Sequence, residues 1–501
     1  MQIVHSIVSW YMKQRLFEIE KFVEQPLETQ SATFNHLIEK GQTTKFGQQH
    51  HFKKIKTETD FKASVPLMRY ENLKPYVDAI MQGEQNVLWP DKIGWMAKSS
   101  GTTSDKSKFI PVSADTLENC HYRAARDVLA VYCRNYPDSQ LFTGKGVILG
   151  GSHQVSQLNN NIRFGDLSAV LLQNMSNLGR FLSSLDLDIA LMDKWESKIE
   201  RMAEKALQQK ITNLSGVPSW MMVFLKSILE KTGANNIKEV WPHLELYIHG
   251  GVSFTPYKSQ FQQLMGQPIN YLQTYNASEG FFALQDLPEA DDMLLMLDLG
   301  IYYEFIPLDE LDNEHPKSYD LSQVTLGENY AIVITTESGL WRYVLGDTVQ
   351  FTSLNPHRII VSGRTKHYIN VFGEELMVDN TDKALAQACA QTNASIRDYT
   401  VGPIFMETQN TGGHEWAIEF ENAPENIEHF TQLLDQHLQA INSDYEAKRY
   451  NDMALKAPKI HALPKSSFYN WLKQKGKLGG QNKVPRLSNS RKYLEEVLVL
   501  T

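Results

Sequence analysis

SSGTTSDKSK, residues 99–108, crowds small hydroxyl and glycine positions together as no other stretch of the chain does. Ser99, Ser100, Gly101, Thr102 and Thr103 leave the backbone free to turn tightly, and Gly101 tolerates a positive φ at little steric cost. Successive N–H groups in such a turn aim at one point and make an anion nest, the hydroxyls add donors, and Lys106 or Lys108 supplies a point charge. The same composition also makes an ordinary solvated loop. The GxxxxGK[ST] spacing of a Walker loop is missing, which disfavours a kinase or GTPase of that type. The flanks raise the phosphate reading: IGWMAK before the loop and FIPVS after it are short apolar runs that read as strands presenting a turn.

Working outward, 501 residues exceed what one hydrophobic core supports, so two or more domains are expected. An apolar content of 42% with 21% charged residues marks an ordinary soluble globular chain. The net charge of −9 argues against a nucleic-acid surface. Cys120, Cys133 and Cys389 have no CxxC spacing, so neither a disulfide framework nor a zinc site is indicated, and a reducing cytoplasm fits. No run of eighteen apolar residues occurs, and no membrane association is expected.

Downstream of the loop, the 113–136 stretch reads as a long helix with Ser113 as N-cap. GKGVILGGSH reads as a buried strand with turns, and residues 166–232 as helices interrupted by a break at NLSGVPSW. LELYIHGGVSF runs apolar into Gly250 and Gly251, which suits either a hairpin corner or a backbone lying against a flat ligand. PINYLQTYNASEGFFALQD puts Tyr275, Ser278 and Glu279 on a polar turn between two strands. RYVLGD leaves Asp347 after a glycine at a strand terminus, where a carboxylate suits the two hydroxyls of a ribose and a plain β-turn is the alternative. Beyond RIIVSGRTKHYIN the pattern changes to a small α+β unit, so a domain boundary is drawn at 366, giving domains 1–365 and 366–501. Lys483 sits in KLGGQNKVPRL beside two glycines and Pro485.

The order of these segments resembles the adenylate-forming superfamily of acyl-CoA synthetases, adenylation domains and luciferases. Within it, SSGTTSDKSKFIPVS, TYNASEGFFALQD, YYEFIP, RYVLGD and QNKVPR look like the bacterial branch of the Gretchen Hagen family, the auxin-responsive acyl acid amido synthetases, over nearly the whole chain. The resemblance implies an α/β fold: a large N-terminal adenylate-forming domain of mixed sheets with flanking helices and a small β-barrel-like part, followed by a small α+β C-terminal domain.

By the same resemblance, Ser99, Ser100, Gly101, Thr102, Thr103 and Lys108 hold ATP phosphates. Gly250, Gly251 and Tyr275 flank the adenine, beside Ser278. Glu279 binds Mg2+, Asp347 and Arg364 fix the ribose, Lys366 is the hinge, and Lys483 enters the site, so that Lys483 and Glu279 are the catalytic pair. The implied enzyme is a monomeric cytoplasmic ligase. It activates a carboxylic acid as its acyl adenylate and passes the acyl group to an amine, such as an amino acid. Two alternatives remain: a thioester ligase using coenzyme A, and a non-catalytic nucleotide-binding protein of the same fold.

Overall fold

The computed structural model describes residues 14–500 apart from 100–107, 151–154, 159–161, 185–186, 191, 193–194, 252–253, 312, 366–367, 370–373, 375, 405–411, 443–444, 447–448, 450–454 and 479–482. The chain divides into two compact units. The first comprises Met1–Val217, Ser227–Gly251 and Ile269–Ile360, and the second Pro218–Lys226, Val252–Pro268 and Val361–Thr501. The C-terminal unit therefore begins at Val361 and also takes in two short segments from earlier in the chain.

Four strands of the first unit, β1 (Trp95–Ser99), β2 (Lys108–Val112), β4 (Ser156–Gln157) and β5 (Arg163–Gly165), form a small sheet in the order β2-β1-β5-β4. The large sheet is built from β3 (Lys145–Leu149), β6 (Ile211–Gly216), β7 (Leu246–Gly250), β8 (Asn270–Ala277), β9 (Gly280–Leu284), β10 (Met293–Leu295), β11 (Ile301–Pro307), β12 (Asn329–Thr336), β13 (Tyr343–Leu354) and β14 (His357–Arg364). Its order is β11-β12-β13-β14-β10-β9-β8-β7-β6-β3.

One half, β3-β6-β7-β8, is parallel. Buried Val147, Leu149, Leu214, Leu246 and Tyr247 give those strands the apolar character expected where helices cover both faces of a sheet. The other half is a set of antiparallel strands, so the β-rich stretch from Ile301 onward extends the main sheet. Trp341 anchors the core beneath it, with Phe52 edge-on at 4.7 Å and Trp89 at 6.2 Å.

Two expectations change. The 211–216 stretch is a central strand, because Ile211 and Leu214 are buried between parallel neighbours, and the break falls after it, where Pro218 opens the helix Pro218–Thr232. The helix after the loop does begin under Ser113, whose hydroxyl accepts from the Thr116 N–H at 2.9 Å. Its first turns, Thr116–Tyr122, are nevertheless π-helical before the α-helix Arg123–Asn135 takes over. The wider turn brings the Cys120 sulfur to the Phe281 N–H at 3.2 Å, at the start of β9.

In the second unit a two-stranded ribbon, β15 (Tyr368–Ile369) with β16 (Leu376–Met377), precedes a three-stranded sheet. This consists of β17 (Ser395–Ile404), β18 (Gly413–Asn422) and β19 (Lys459–Leu463), antiparallel and then parallel. Helices Val378–Thr392 and Ile427–Ile441 pack on the sheet. Leu385 and Ala388 from one, and Phe430, Leu434 and Leu438 from the other, meet Trp416, Ile418 and Phe420. The spacing of four between the apolar residues of the second helix keeps them on one face.

On β18, Glu415 receives hydrogen bonds from Lys459 at 2.8 Å, His461 at 2.6 Å and Arg491 at 2.7 Å. Burial alone would raise its carboxyl, but these three donors outweigh that and hold it at about 2, below the usual 4.5. A depressed carboxylate stabilises the fold above its unfolded-state value, and the contribution is lost as pH falls through the folded one. Glu415→Gln should therefore be less stable than wild type at neutral pH, with the difference closing between about 4.5 and about 2. Acid unfolding followed by fluorescence of the buried Trp416 reads this directly, and a constant difference across that range would refute it.

Candidate functional site

The two ends of the 99–108 stretch are held together by a hairpin. β1 and β2 are antiparallel with Ser99 opposite Lys108, so the first and last residues of the stretch stand side by side. Ser100, Gly101, Thr102 and Thr103 lie outside the described residues, and for Ser99 only the backbone is described. β2 is hung from Tyr70, whose hydroxyl accepts the Phe109 N–H at 2.8 Å, and the Lys108 ammonium stands 5.6 Å from the centre of the Tyr70 ring.

Gly250 ends β7 opposite Thr274 of β8. A Cβ on Gly250 would come within 2.5 Å of the Thr274 carbonyl oxygen, and Gly251 follows at φ +83°. This close approach of two backbones is what both glycines permit. β8 and β9 then form a hairpin in which Ala277 pairs with Gly280, leaving Ser278 and Glu279 as its two-residue loop. Polar hairpin loops normally face water, yet both residues are buried, each only 7% exposed.

Asp347 is equally enclosed, and its Oδ2 accepts the Tyr275 hydroxyl at 2.8 Å. It lies inside β13 and not at a strand terminus. Val344 pairs with Val333 and Thr348 with Ala331, so four residues of β13 cover the interval that two cover on β12. The bulge contains Gly346 at φ +95°, and it turns the Asp347 side chain toward β8. Tyr275, expected beside a flat ligand, has its hydroxyl committed to Asp347 and its ring 4.9 Å from Phe282.

Between these groups stands Tyr343. Its ring is fully buried, and among the described residues its hydroxyl has no hydrogen-bond partner. Burial pushes that hydroxyl well above its usual range, and the nearby carboxylates of Glu279, Glu71 and Asp347 add to the effect, so it stays a proton donor. Arg342, directly before it, adopts φ +45°, a left-handed conformation costly for a non-glycine residue. The arginine fork grips Glu304 at 2.9 and 3.0 Å, Ser318 at 2.9 Å and the Val65 carbonyl at 2.6 Å. Arg342 and Tyr343 lay in the quoted RYVLGD segment, where a charge inside an apolar strand was the available signal; Tyr70 carried none.

Nearby chemistry of other kinds is quiet. Burial pushes the Cys120 thiol up to about 12 and lowers His121 to about 4, so neither is a nucleophile or a cation at neutral pH. Among the described residues no three His, Cys, Asp or Glu side chains gather as a metal site, and no helix is long and apolar enough to cross a membrane.

In the second unit, Lys483 is partly buried at the start of an extended segment that continues to Ser488. Arg364 closes β14 with its side chain outside the description, and Lys366 lies outside the described residues. The structure thus assembles Lys108, Tyr70, Tyr343, Glu279, Asp347 and Tyr275 within one unit, and Lys483 belongs to the other.

Three sequence models match the chain: the GH3 family N-terminal domain over residues 15–269, the central domain over 294–364 and the C-terminal domain over 379–492. A jasmonoyl–L-amino acid synthetase of Nicotiana attenuata is 25% identical over 94% of this chain and 92% of its own length. An indole-3-acetic acid-amido synthetase of Arabidopsis thaliana is 21% identical over 91% and 88%. Among solved structures, the GH3.15 acyl acid amido synthetase superposes with a TM-score of 0.79 at 17% identity, covering 97% of this chain and 95% of that one. A 2-hydroxyisobutyryl-CoA ligase superposes at 0.60 and 13% identity, covering 94% and 91%.

Proposed function

The chain belongs to the GH3 family, and from that premise we propose that it is an ATP-dependent acyl acid amido synthetase. It joins a small carboxylic acid to an amine, with an amino acid as the acceptor. The observation that carries this reading is the enclosure of two carboxylates, Glu279 in the β8–β9 turn and Asp347 in the β13 bulge, both with little solvent access in the unit that also holds the β1–β2 hairpin. Retaining enclosed carboxylates is costly unless a ligand or a hydrogen bond repays it.

A free carboxylate is a poor electrophile at neutral pH, so the acid must first be activated. Its oxygen attacks the α-phosphorus of ATP, the bond to pyrophosphate breaks, and the acyl adenylate forms. The amine then attacks the acyl carbonyl, AMP leaves, and the amide is released with loss of the amine proton. Ser99 to Thr103 and Lys108 cradle the phosphates, Gly250 and Gly251 let the adenine lie against the backbone, and Ser278 joins them from the β8–β9 turn. Asp347, held by Tyr275, and Arg364 take the ribose hydroxyls.

Glu279 fits magnesium, a hard cation that commonly uses one or two carboxylates together with substrate phosphates. The ion supplies neutralisation of phosphate charge. Lys483 adds a positive charge to the transferring phosphate, and rotation at Lys366 lets one site serve both half-reactions. The three described cysteines are free, which fits a reducing, ATP-supplied cytoplasm. Neither step requires a second copy of the chain, and light scattering checks the monomer.

The test is ATP–pyrophosphate exchange by purified protein against a panel of acids including indole-3-acetic acid, 4-substituted benzoates and 2,4-DB, followed by mass spectrometry with pooled amino acids. Acid-dependent exchange and a new amide mass are expected. Thioester formed with coenzyme A, and no amide, would move the assignment to a thioester ligase. Tyr275→Phe should raise the KM for ATP about tenfold with kcat nearly unchanged, because it removes one hydrogen bond to a charged group that orients the ribose in ground and transition states alike. A fall in kcat at constant KM would contradict that role.

A further inference from the structure

Three residues beyond Lys483, the guanidinium of Arg486 is buried in the core of the second unit. It is paired with Asp382 of the helix Val378–Thr392, lies 5.0 Å from the centre of the Tyr399 ring on β17, and has the Tyr257 hydroxyl at 3.5 Å. Asp382 also accepts the Tyr399 hydroxyl at 2.7 Å.

The segment carrying Arg486 lies along β17 as a short strap. The Thr400 hydroxyl donates to the Pro485 carbonyl at 2.6 Å, the Val401 N–H to the Arg486 carbonyl at 2.8 Å, and the Ser488 N–H to the Val401 carbonyl at 3.2 Å. Leu487 bridges Val401 in parallel.

We propose that the Arg486–Asp382 pair is the positioning device for Lys483: it fixes the register of the 483–488 strap on β17 and thereby where the Lys483 amine is held. The proposal rests on reading Lys483 as the lysine that meets the reacting phosphate.

Backbone hydrogen bonds along a strand edge repeat and do not choose among registers, whereas the buried guanidinium makes its ion pair with Asp382, with the charge of buried Asp398 also acting on it. A slip of one residue would move Lys483 by about 3.3 Å and turn it to the opposite face. Misplacement of a reacting group by about 1 Å already costs on the order of a hundredfold in rate. Stability alone is a weak reason for such a pair, since apolar replacement of a buried ion pair is often neutral or stabilising, while a role in fixing register is well attested.

The probe is acetyl adenylate, whose acetyl carbon is bonded to the phosphate oxygen of AMP. Attack by a lysine amine forms an acetyl-lysine and releases AMP and a proton. Mass spectrometry reads the rate at Lys483 against exposed lysines such as Lys53 of the same molecule. In wild type, Lys483 should be labelled at least tenfold faster than Lys53, and excess ATP should suppress the difference.

Arg486→Met combined with Asp382→Asn removes both charges and keeps an acceptor for Tyr399. It should bring Lys483 down to the Lys53 rate while Lys53 is unchanged. Arg486→Lys keeps a charge for Asp382 without the fork and should fall between the two, which covers the case in which the double variant does not fold. Selective labelling of Lys483 that persists in a folded double variant, or in Arg486→Lys if only that one folds, overturns the proposal. Wild-type labelling of Lys483 no faster than Lys53 overturns the reading of Lys483 itself, and the positioning role with it.

Discussion

Lys483→Ala should lower acid-dependent ATP–pyrophosphate exchange by roughly two to three orders of magnitude, with the KM for ATP changed far less. A preorganised charge aimed at a developing oxyanion is worth a few kcal/mol in the transition state and little in the ground state, so its loss falls on kcat. The lysine lies ahead of the buried part of its strap, where Val484, Leu487 and Arg486 carry the packing. The variant should therefore fold, with a thermal transition within a few degrees of wild type. Exchange at the wild-type rate would remove Lys483 from the chemistry. A large fall in thermal stability would mean the side chain is structural.

The largest stability effect is expected at Arg342. Arg342→Met leaves Glu304, which is 1% exposed, without its forked partner, and breaking a buried pair on one side costs about 3–5 kcal/mol. Among the described residues, Ser318 alone remains to donate to Glu304, at 2.6 Å, with the Lys62 ammonium 3.9 Å away. Removing both charges, as in Arg342→Met with Glu304→Gln, should recover part of the loss because no buried charge is left uncompensated. Urea unfolding measures this, with the transition of the first unit separated from that of the second, since a chain with two compact units need not unfold in one step. A single-variant loss below about 1 kcal/mol would refute the argument. The residue also holds φ +45° immediately before Tyr343. A folded Arg342→Met should therefore show weaker ATP binding as well, because the strand that carries Tyr343 and Asp347 loses the grip that fixes its start.

The candidate site was only partly legible in the sequence. Gly250, Gly251, Tyr275, Ser278, Glu279 and Asp347 stood out because turns, polar positions between apolar runs and glycines before a carboxylate are local signals. What they touch was not local. The bond from Tyr275 to Asp347 joins β8 to β13 across 72 positions of sequence, and the buried hydroxyl of Tyr343 becomes visible only when Tyr70, Glu279 and Asp347 surround it. The π-helical turn at Thr116–Tyr122 was likewise hidden, because its apolar spacing over so short a run does not differ from that of an α-helix. The strand Ile211–Gly216 was missed because Gly216 and Pro218 are read as a break, whereas burial between two parallel neighbours sets the conformation of the six residues before them.

By itself, then, the sequence determined the family, the order of the motifs and the division into a large N-terminal and a smaller C-terminal part, since these depend on residue type and spacing along one chain. The tertiary structure decided which carboxylates are enclosed, that a bulge in β13 turns Asp347 toward Tyr275, and that Arg342 buries a charge beside Tyr343 and Arg486 one along β17. Those outcomes follow from desolvation and from contacts between residues far apart in the chain, and neither is a property of any local stretch.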